Sequence, residues 1–217
     1  MNQRQLIQQH VAPTSPEPMA LPITRAEGVY LYDDKGKKYI DLIGGISVCN
    51  VGHRHPKVVQ AIKDQADQYL HVMVYGEVIQ SPQVQYAHLL AQHLPSNLDC
   101  VYFTNSGAEA VERAMKLAKR YTGRSEIIAC HYTYDGSTQG ALSLLGDEYF
   151  RNAYRPLLPQ VKHIYHNNFE SLQSITRATA SIILETVQAE GGVLAPSPEW
   201  MDALRDRWTD WVGAHLG

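Results

Sequence analysis

The residues of this chain that could do chemistry gather in three short, glycine-bearing stretches: Asn105-Ser106-Gly107-Ala108, His131 to Gly136, and Glu185 to Gly192. In the first, Ser106 and Glu109 stand three apart. That is the spacing of a capping box, in which a hydroxyl and a carboxylate satisfy backbone donors at a helix start. The turn Ser106-Gly107-Ala108 carries almost no side-chain bulk. A ligand can therefore reach the first-turn N–H groups, which lack intrahelical acceptors and lie at the positive end of the helix dipole. Such a helix start is a phosphate seat. An ordinary capped helix has the same spacing, and the residues alone leave both readings open. In the second stretch Tyr134 offers a flat apolar face suited to a flat heteroaromatic ring, although a plain loop tyrosine, one of 13 in the chain, fits as well. In the third, Glu185 and Glu190 are carboxylates that in a partly dry pocket would need a cationic or hydrogen-bonding partner and could select for charge. In water they would be unremarkable loop acids.

The elements that must position these stretches can be read from periodicity. Val111, Ala114, Met115 and Ala118 share one face of a 3.6-residue period, which predicts a helix over 107–121 with Gly123 as its stop. Glu112, Arg113, Lys116, Lys119 and Arg120 fall on the expected wet side. Short apolar runs at Cys100–Thr104, Glu126–Cys130, Val161–Tyr165 and Ala180–Glu185 predict strands, with helices between them at 107–121, 137–145 and 169–177. Alternating strand and helix predicts an α/β fold: a mainly parallel sheet with helices on both faces. Ligands sit outside the carboxyl ends of such strands, and all three stretches follow strand ends. Upstream, Pro13, Pro16, Pro18 and Pro22 stiffen an extended arm, and Gly28–Tyr32 and Lys38–Ile43 flank an Asp/Gly-rich turn as a hairpin broken by Gly44-Gly45. Helices are predicted from Pro56 to Leu70, with Val58, Val59, Ile62 and Ala66 on one face, and from Ser81 to Leu94. The expected divisions are an arm at 1–24, a small-domain part and linker at 25–70, and a larger domain at 71–217.

Composition excludes several classes. Among 217 residues, 19 Lys plus Arg face 22 Asp plus Glu with no long block of one sign, which argues against nucleic acid or an anionic membrane as partner. No apolar run approaches the ~20 residues that span a bilayer, and the polar start Met1 to His10 lacks the apolar core of a secretory signal. Cys49, Cys100 and Cys130 are odd in number and far apart, so each is expected to be a small buried hydrophobe in a reducing cytoplasm. His53 and His55 in Gly52-His-Arg-His-Pro56 have no third ligand nearby, so no metal is expected there.

Taken in order, the motifs resemble those of the class III aminotransferases, fold-type I pyridoxal-phosphate enzymes that include the acetylornithine, ornithine and 4-aminobutyrate aminotransferases. The likeness covers about residues 25 to 207. It is carried by Gly28-Val-Tyr-Leu-Tyr-Asp with Gly36-Lys and Tyr39-Ile-Asp41, Gly52-His-Arg-His-Pro56, Phe103-Thr-Asn-Ser-Gly-Ala-Glu-Ala110, Tyr134-Asp-Gly-Ser-Thr138 and Glu185-Thr-Val-Gln-Ala-Glu-Gly-Gly192. The resemblance implies an incomplete pyridoxal-phosphate-binding large domain, with the amino-terminal hairpin belonging to the small domain. It implies that Ser106, Gly107 and Ala108 hold the cofactor phosphate, that Tyr134 stacks on the pyridine ring, and that Glu185 lies near the cofactor. Glu190 would recognise the substrate. The activity implied is amino transfer between an amino acid or amine and an oxo-acid, in a cytoplasmic homodimer whose active sites lie at the subunit interface. An aminomutase or decarboxylase of the same fold, or a non-catalytic chain that binds a phosphate ligand or a partner, are the alternatives.

Three departures from the pattern stand out. Ser137 occupies a place where relatives acting on ornithine-like substrates often carry an arginine, and serine cannot form that bidentate ion pair. Asp135 replaces a more usual histidine or tryptophan. The eight lysines, at 35, 37, 38, 57, 63, 116, 119 and 162, all precede the Glu185–Gly192 loop, whereas the family's Schiff-base lysine and ring-nitrogen aspartate come after it. The resemblance therefore implies a truncated, inactive form of about half the family's length. The loss of likeness past Trp208 is read as a reading-frame change near that residue.

Overall fold

The computed structural model describes residues 3–73 and 75–211. Residues 212–217, on which part of the reading of the carboxyl-terminal segment falls, lie outside the described residues. The chain divides into two compact units, residues 1–89 and 90–217.

In the first unit a short helix α1 (Gln3–His10) precedes an antiparallel meander, β1 (Ile23–Glu27), β2 (Tyr30–Asp33) and β3 (Lys38–Ile40). The β2–β3 pair is the expected hairpin, with Tyr30 opposite Ile40 and Tyr32 opposite Lys38. Its turn is built by Asp33, whose Oδ1 accepts from the N–H groups of Lys35 (2.9 Å) and Lys37 (2.8 Å) while Oδ2 accepts from the Tyr39 hydroxyl (2.9 Å). Asp41 does similar work after β3: Oδ1 accepts from Ile43 N and Gly44 N, and Oδ2 lies 2.7 Å from His53 Nε2. The His53 ring and these amides hold the Asp41 carboxyl below the usual carboxylate range. His53 is thus a carboxylate partner, and its backbone bridges to Gly28. A short turn α2 (Gly44–Ser47) and the helices α3 (Pro56–Gln68) and α4 (Ser81–His93) follow, with the unit division falling inside α4. The expected apolar face of α3 is uncovered: Val58 and Ile62 are exposed.

The second unit holds the core. Helix α5 (Gly107–Thr122) leads to β4 (Glu126–Cys130), and then come α6 (Gln139–Leu144), α7 (Glu148–Arg151), β5 (Val161–Ile164), a 3-10 turn at Glu170–Ser174, β6 (Thr179–Ile182) and α8 (Pro198–Trp211). The strands form a parallel sheet in the order β5-β4-β6. Every residue of the central strand β4 is buried, as expected of a parallel strand covered on both sides. Its alternate side chains enter two separate clusters. Ile127 and Ala129 pack with Met115 and Leu144, beneath α5 and α6. Ile128 and Cys130 pack with Ile164, Leu172, Ile175, Trp200 and Leu204, beneath α8. The expected α/β architecture, with helices on both faces, is therefore present.

Several expectations need correction. Cys100–Thr104 is not a strand. A strand needs a regular ladder of N–H and C=O partners, and the described residues show no strand over this run; Tyr102 is exposed. Cys100 is exposed and Cys49 half-buried, so Cys130 alone is a buried cysteine. On α5 Ala114 is exposed and Met115 alone is buried. The predicted helix at 169–177 is only the 3-10 turn, because the Thr179 hydroxyl takes the Thr176 N–H and Ile175 has already left helical geometry.

The two-faced burial of β4 sets a stability expectation. Ile128→Ala should lower the unfolding free energy by about 2–5 kcal/mol in urea melts, because it opens a cavity in a closed cluster. Leu117→Ala, on the exposed side of α5, should stay within about 0.5 kcal/mol. Equal losses for the two would contradict this assignment of the core.

Candidate functional site

The start of α5 is capped by Ser106, whose backbone is extended (φ −153°, ψ 162°) and whose Oγ accepts from Glu109 N at 3.1 Å. The reciprocal half of the capping box is displaced by one residue: Glu109 Oε2 accepts from Asn105 N (2.9 Å) and Nδ2 (3.2 Å) rather than from Ser106 N. This leaves the Ser106 hydroxyl hydrogen to donate elsewhere. Ser106 and Gly107 are exposed and Ala108 half-buried. A Cβ added at Gly107 would meet nothing within 4 Å. At the other end Gly123 closes the helix in the left-handed conformation expected of a glycine cap.

The loop after β4 is pressed against this helix start. Gly136 has φ +126°, and a Cβ there would lie 2.7 Å from Ala108 Cβ and 2.9 Å from Ala108 Cα. Only glycine permits both that conformation and that approach. Just beyond it, Glu112 reaches from α5 to cap α6: its Oε1 accepts from the Thr138 hydroxyl (2.6 Å), Gly140 N (2.9 Å) and Ala141 N (3.2 Å). Periodicity puts Glu112 on the wet side of α5. It is instead half-buried, because the orphan N–H groups of α6 need an acceptor.

The third loop closes on the second. The Gln188 side chain, almost wholly buried, donates to the His131 carbonyl at 2.5 Å, and its backbone pairs in both directions with Leu194. Gly191 lies so close to Tyr132 that an added Cβ would be 2.7 Å from the Tyr132 carbonyl oxygen. The backbone of Tyr134 and of Ala189 comes close enough to Glu185 to hold its carboxyl down against the rise from burial. The structure therefore brings together the loops of Ser106-Gly107-Ala108, Tyr134 and Glu185–Glu190 at the carboxyl ends of β4 and β6. The Tyr134 ring is exposed, with its hydroxyl 3.1 Å from Ser137 Oγ.

The electrostatics of the cluster are acidic and dry. Burial pushes Asp135 up to about 6, with the Glu185 charge adding to the rise and the Thr133 hydroxyl opposing it. Burial also raises Glu185, helped by Glu190. Cys130 rises to about 12, by burial first and then by Asp135 and Glu185. Glu185 Oε2 is buried with no hydrogen-bond partner among the described residues. A buried acceptor of this kind calls for a donor from a ligand. With the bare amides at Gly107 and the exposed Tyr134 ring, the residues present fit a phosphorylated, flat, nitrogen-bearing ring. Glu112, Thr133, Gly136, Gln188 and Gly191 shape this site, and no sequence pattern singles them out for that role.

A family profile, aminotransferase class-III, matches residues 11–211. The chain belongs to that family. It is 40% identical over 199 residues to a Pyrococcus abyssi protein named as a LysW-aminoadipate semialdehyde/glutamate semialdehyde transaminase, covering 90% of this chain and 53% of that one. It is 39% identical over 210 residues to the acetylornithine aminotransferase of Methanopyrus kandleri, covering 95% and 52%. Among solved structures, the adenosylmethionine-8-amino-7-oxononanoate aminotransferase of Methanocaldococcus jannaschii superposes with a TM-score of 0.88 at 27% identity, covering 95% of this chain and 52% of that chain. The taurine:2-oxoglutarate aminotransferase of Bifidobacterium kashiwanohense, in complex with PLP and glutamate, superposes with a TM-score of 0.84 at 27% identity, covering 96% and 52%. The chain spans about half the length of the curated relatives it matches. No helix among the described residues is long and apolar enough to cross a membrane.

The glycine contacts generate a paired expectation. Gly136→Ala should cost roughly 1–3 kcal/mol by forcing the 131–136 loop off α5. Gly107→Ala, with open space around it, should be neutral or stabilising by up to about 1 kcal/mol. Thermal melts of the two variants against the parent check the pair, and a harmless Gly136→Ala would mean that the loops are not in contact.

Proposed function

We propose that this chain supplies the phosphate- and ring-binding part of a pyridoxal-phosphate-dependent transaminase acting between an amino donor and an oxo-acid. The observation that carries the reading is the meeting of three loops, through Gly136 on Ala108 and Glu185 on the Tyr134 backbone, around an open helix start. Family membership and relatives named as transaminases support it.

Each residue then has a task. The Ser106 hydroxyl and the N–H groups of Gly107 and Ala108 hold the phosphate, where the helix dipole favours negative charge. Tyr134 lies against the face of the ring. Glu185, with one oxygen unpartnered, accepts from a donor on the ligand. Glu190 selects among substrates by charge. Ser137, bonded to Tyr134 rather than replaced by a guanidinium, provides no bidentate clamp for a substrate carboxylate. When bound, pyridoxal phosphate supplies an electron sink for a carbanion at the substrate carbon.

None of the eight lysines follows Glu190, and Lys162 is engaged with Glu126 at 2.6 Å. That favours a second reading of the chain as given: it binds the phosphorylated ligand and does not bond to it covalently or turn it over. The division into an arm (1–24), a small-domain part (25–70) and an incomplete large domain (71–217), a homodimer and a cytoplasmic location belong to this proposal through the resemblance.

Titration with pyridoxal phosphate, followed by ligand fluorescence, tests the reading. Binding should be reversible and competed by inorganic phosphate. Ser106→Ala should weaken it by at least about tenfold, the loss expected for a hydrogen bond to a charged group. Binding that ignores both Ser106→Ala and inorganic phosphate would sink the proposed seat.

A further inference from the structure

The departure at Asp135 has a structural partner. The Thr133 hydroxyl lies 2.9 Å from the Cys130 carbonyl oxygen and 2.8 Å from Asp135 Oδ2, and both side chains are buried. A hydroxyl carries one hydrogen, and a carbonyl oxygen has none to give. If Thr133 donates to Cys130, an ionised Asp135 would set one acceptor against another. A protonated Asp135 resolves the conflict by donating in its turn.

We propose that Thr133 and Asp135 form a proton-dependent latch on the 131–136 loop, in which the neutral acid of Asp135 donates to the Thr133 hydroxyl and that hydroxyl donates to the Cys130 carbonyl. The latch fixes the loop that carries Tyr134 and places the Tyr134 backbone against Glu185. It deepens the proposed function, on which it rests only for the identity of what the loop holds. Thr133 and Asp135 are positioning residues.

The titratable groups around Asp135 agree with a neutral acid. From β4 comes the Cys130 thiol, held neutral by burial. From the segment after β6 comes Glu185, whose charge disfavours another beside it. His131 lies in the same loop, and from α5 Glu112 is occupied by Thr138, Gly140 and Ala141. Among the described residues the one charge that acts on Asp135 is that of Glu185. The acid is raised by burial from its ordinary 3.8 to about 6 even with the Thr133 hydroxyl donating to it, and a hydroxyl that accepts instead holds the proton more tightly, so the folded state holds a proton that the unfolded chain releases between these values. Its contribution is fully present below pH about 4 and is lost as pH rises through about 6.

Urea melts of the 217-residue chain and of Asp135→Asn, from pH about 4 to about 7.5, test the latch. Asparagine keeps a donor and cannot ionise, so the parent's folding equilibrium should weaken against the variant by up to about a hundredfold across the window, about tenfold for each pH step of one between the unfolded and folded values. Parallel curves would overturn the latch. Thr133→Val removes the acceptor of the neutral acid, so the parent's fall should move to lower pH, and Thr133→Ser should restore it. A move to higher pH would mean that the hydroxyl donates to an ionised Asp135, and would overturn the proposal. Should Thr133→Val fail to fold, infrared spectroscopy decides instead. A carboxylic C=O band should be present at pH about 5, titrate away near 6 and be missing from Asp135→Asn; its absence from the parent at pH about 5 overturns the latch. Inorganic phosphate binding to parent and Asp135→Asn separates the two ideas, because phosphate that binds neither protein removes the functional reading and not the latch.

Discussion

Strand β4 is buried on both faces, and the second unit is organised around that constraint. A parallel strand with no wet side must find cover above and below. Ile127 and Ala129 find it under α5 and α6, and Ile128 and Cys130 find it under α8. Because β4 cannot shift its register without moving both clusters, its carboxyl end is a fixed point. The loop that leaves that end, 131–136, inherits its position from the core and not from its own composition. The candidate site is therefore an output of packing that lies one layer beneath it.

Close backbone approach then transfers that fixed position from loop to loop. Gly136 meets Ala108 and Gly191 meets Tyr132 at distances that no side chain tolerates. Gln188 ties the third loop to the His131 carbonyl, and Glu112 ties α5 to the start of α6. The result is a rim that gathers an open helix start, an exposed tyrosine ring, the buried Asp135 and the half-buried Glu185. The same rim is electrostatically mixed: the helix end favours an anion, while Asp135, Glu185 and Glu190 disfavour further negative charge. A ligand with a phosphate at one end and a proton-bearing nitrogen at the other satisfies both ends.

Much of this was legible in the residues. The capping spacing of Ser106 and Glu109, the 3.6-residue period of α5 and the β-branched run at Glu126–Cys130 fixed their elements because each is a local property of the backbone. The convergence of the second and third loops was legible at one remove, since parallel strands send their carboxyl ends to the same edge; the helix start at Ser106 follows no strand and joins them through Gly136 on Ala108. The failures share a cause. Cys100–Thr104 has the composition of a strand, but composition does not supply the regular ladder of a neighbouring strand, and the run is irregular. Glu112 has the spacing of a solvated residue, but an acceptor was needed by a helix 28 residues further along the chain.

By itself, then, the sequence determined the local grammar: which segments coil, which extend, and where the long helix of the second unit starts and stops. Only the tertiary structure decided which glycines were contacts rather than turns, and that the Thr133 hydroxyl stands between the Cys130 carbonyl and Asp135. It alone set which acids burial holds above the usual carboxylate range. Those outcomes depend on distances between residues far apart in the chain and on the loss of water around them. Neither quantity exists until the sheet and its two covering layers have closed.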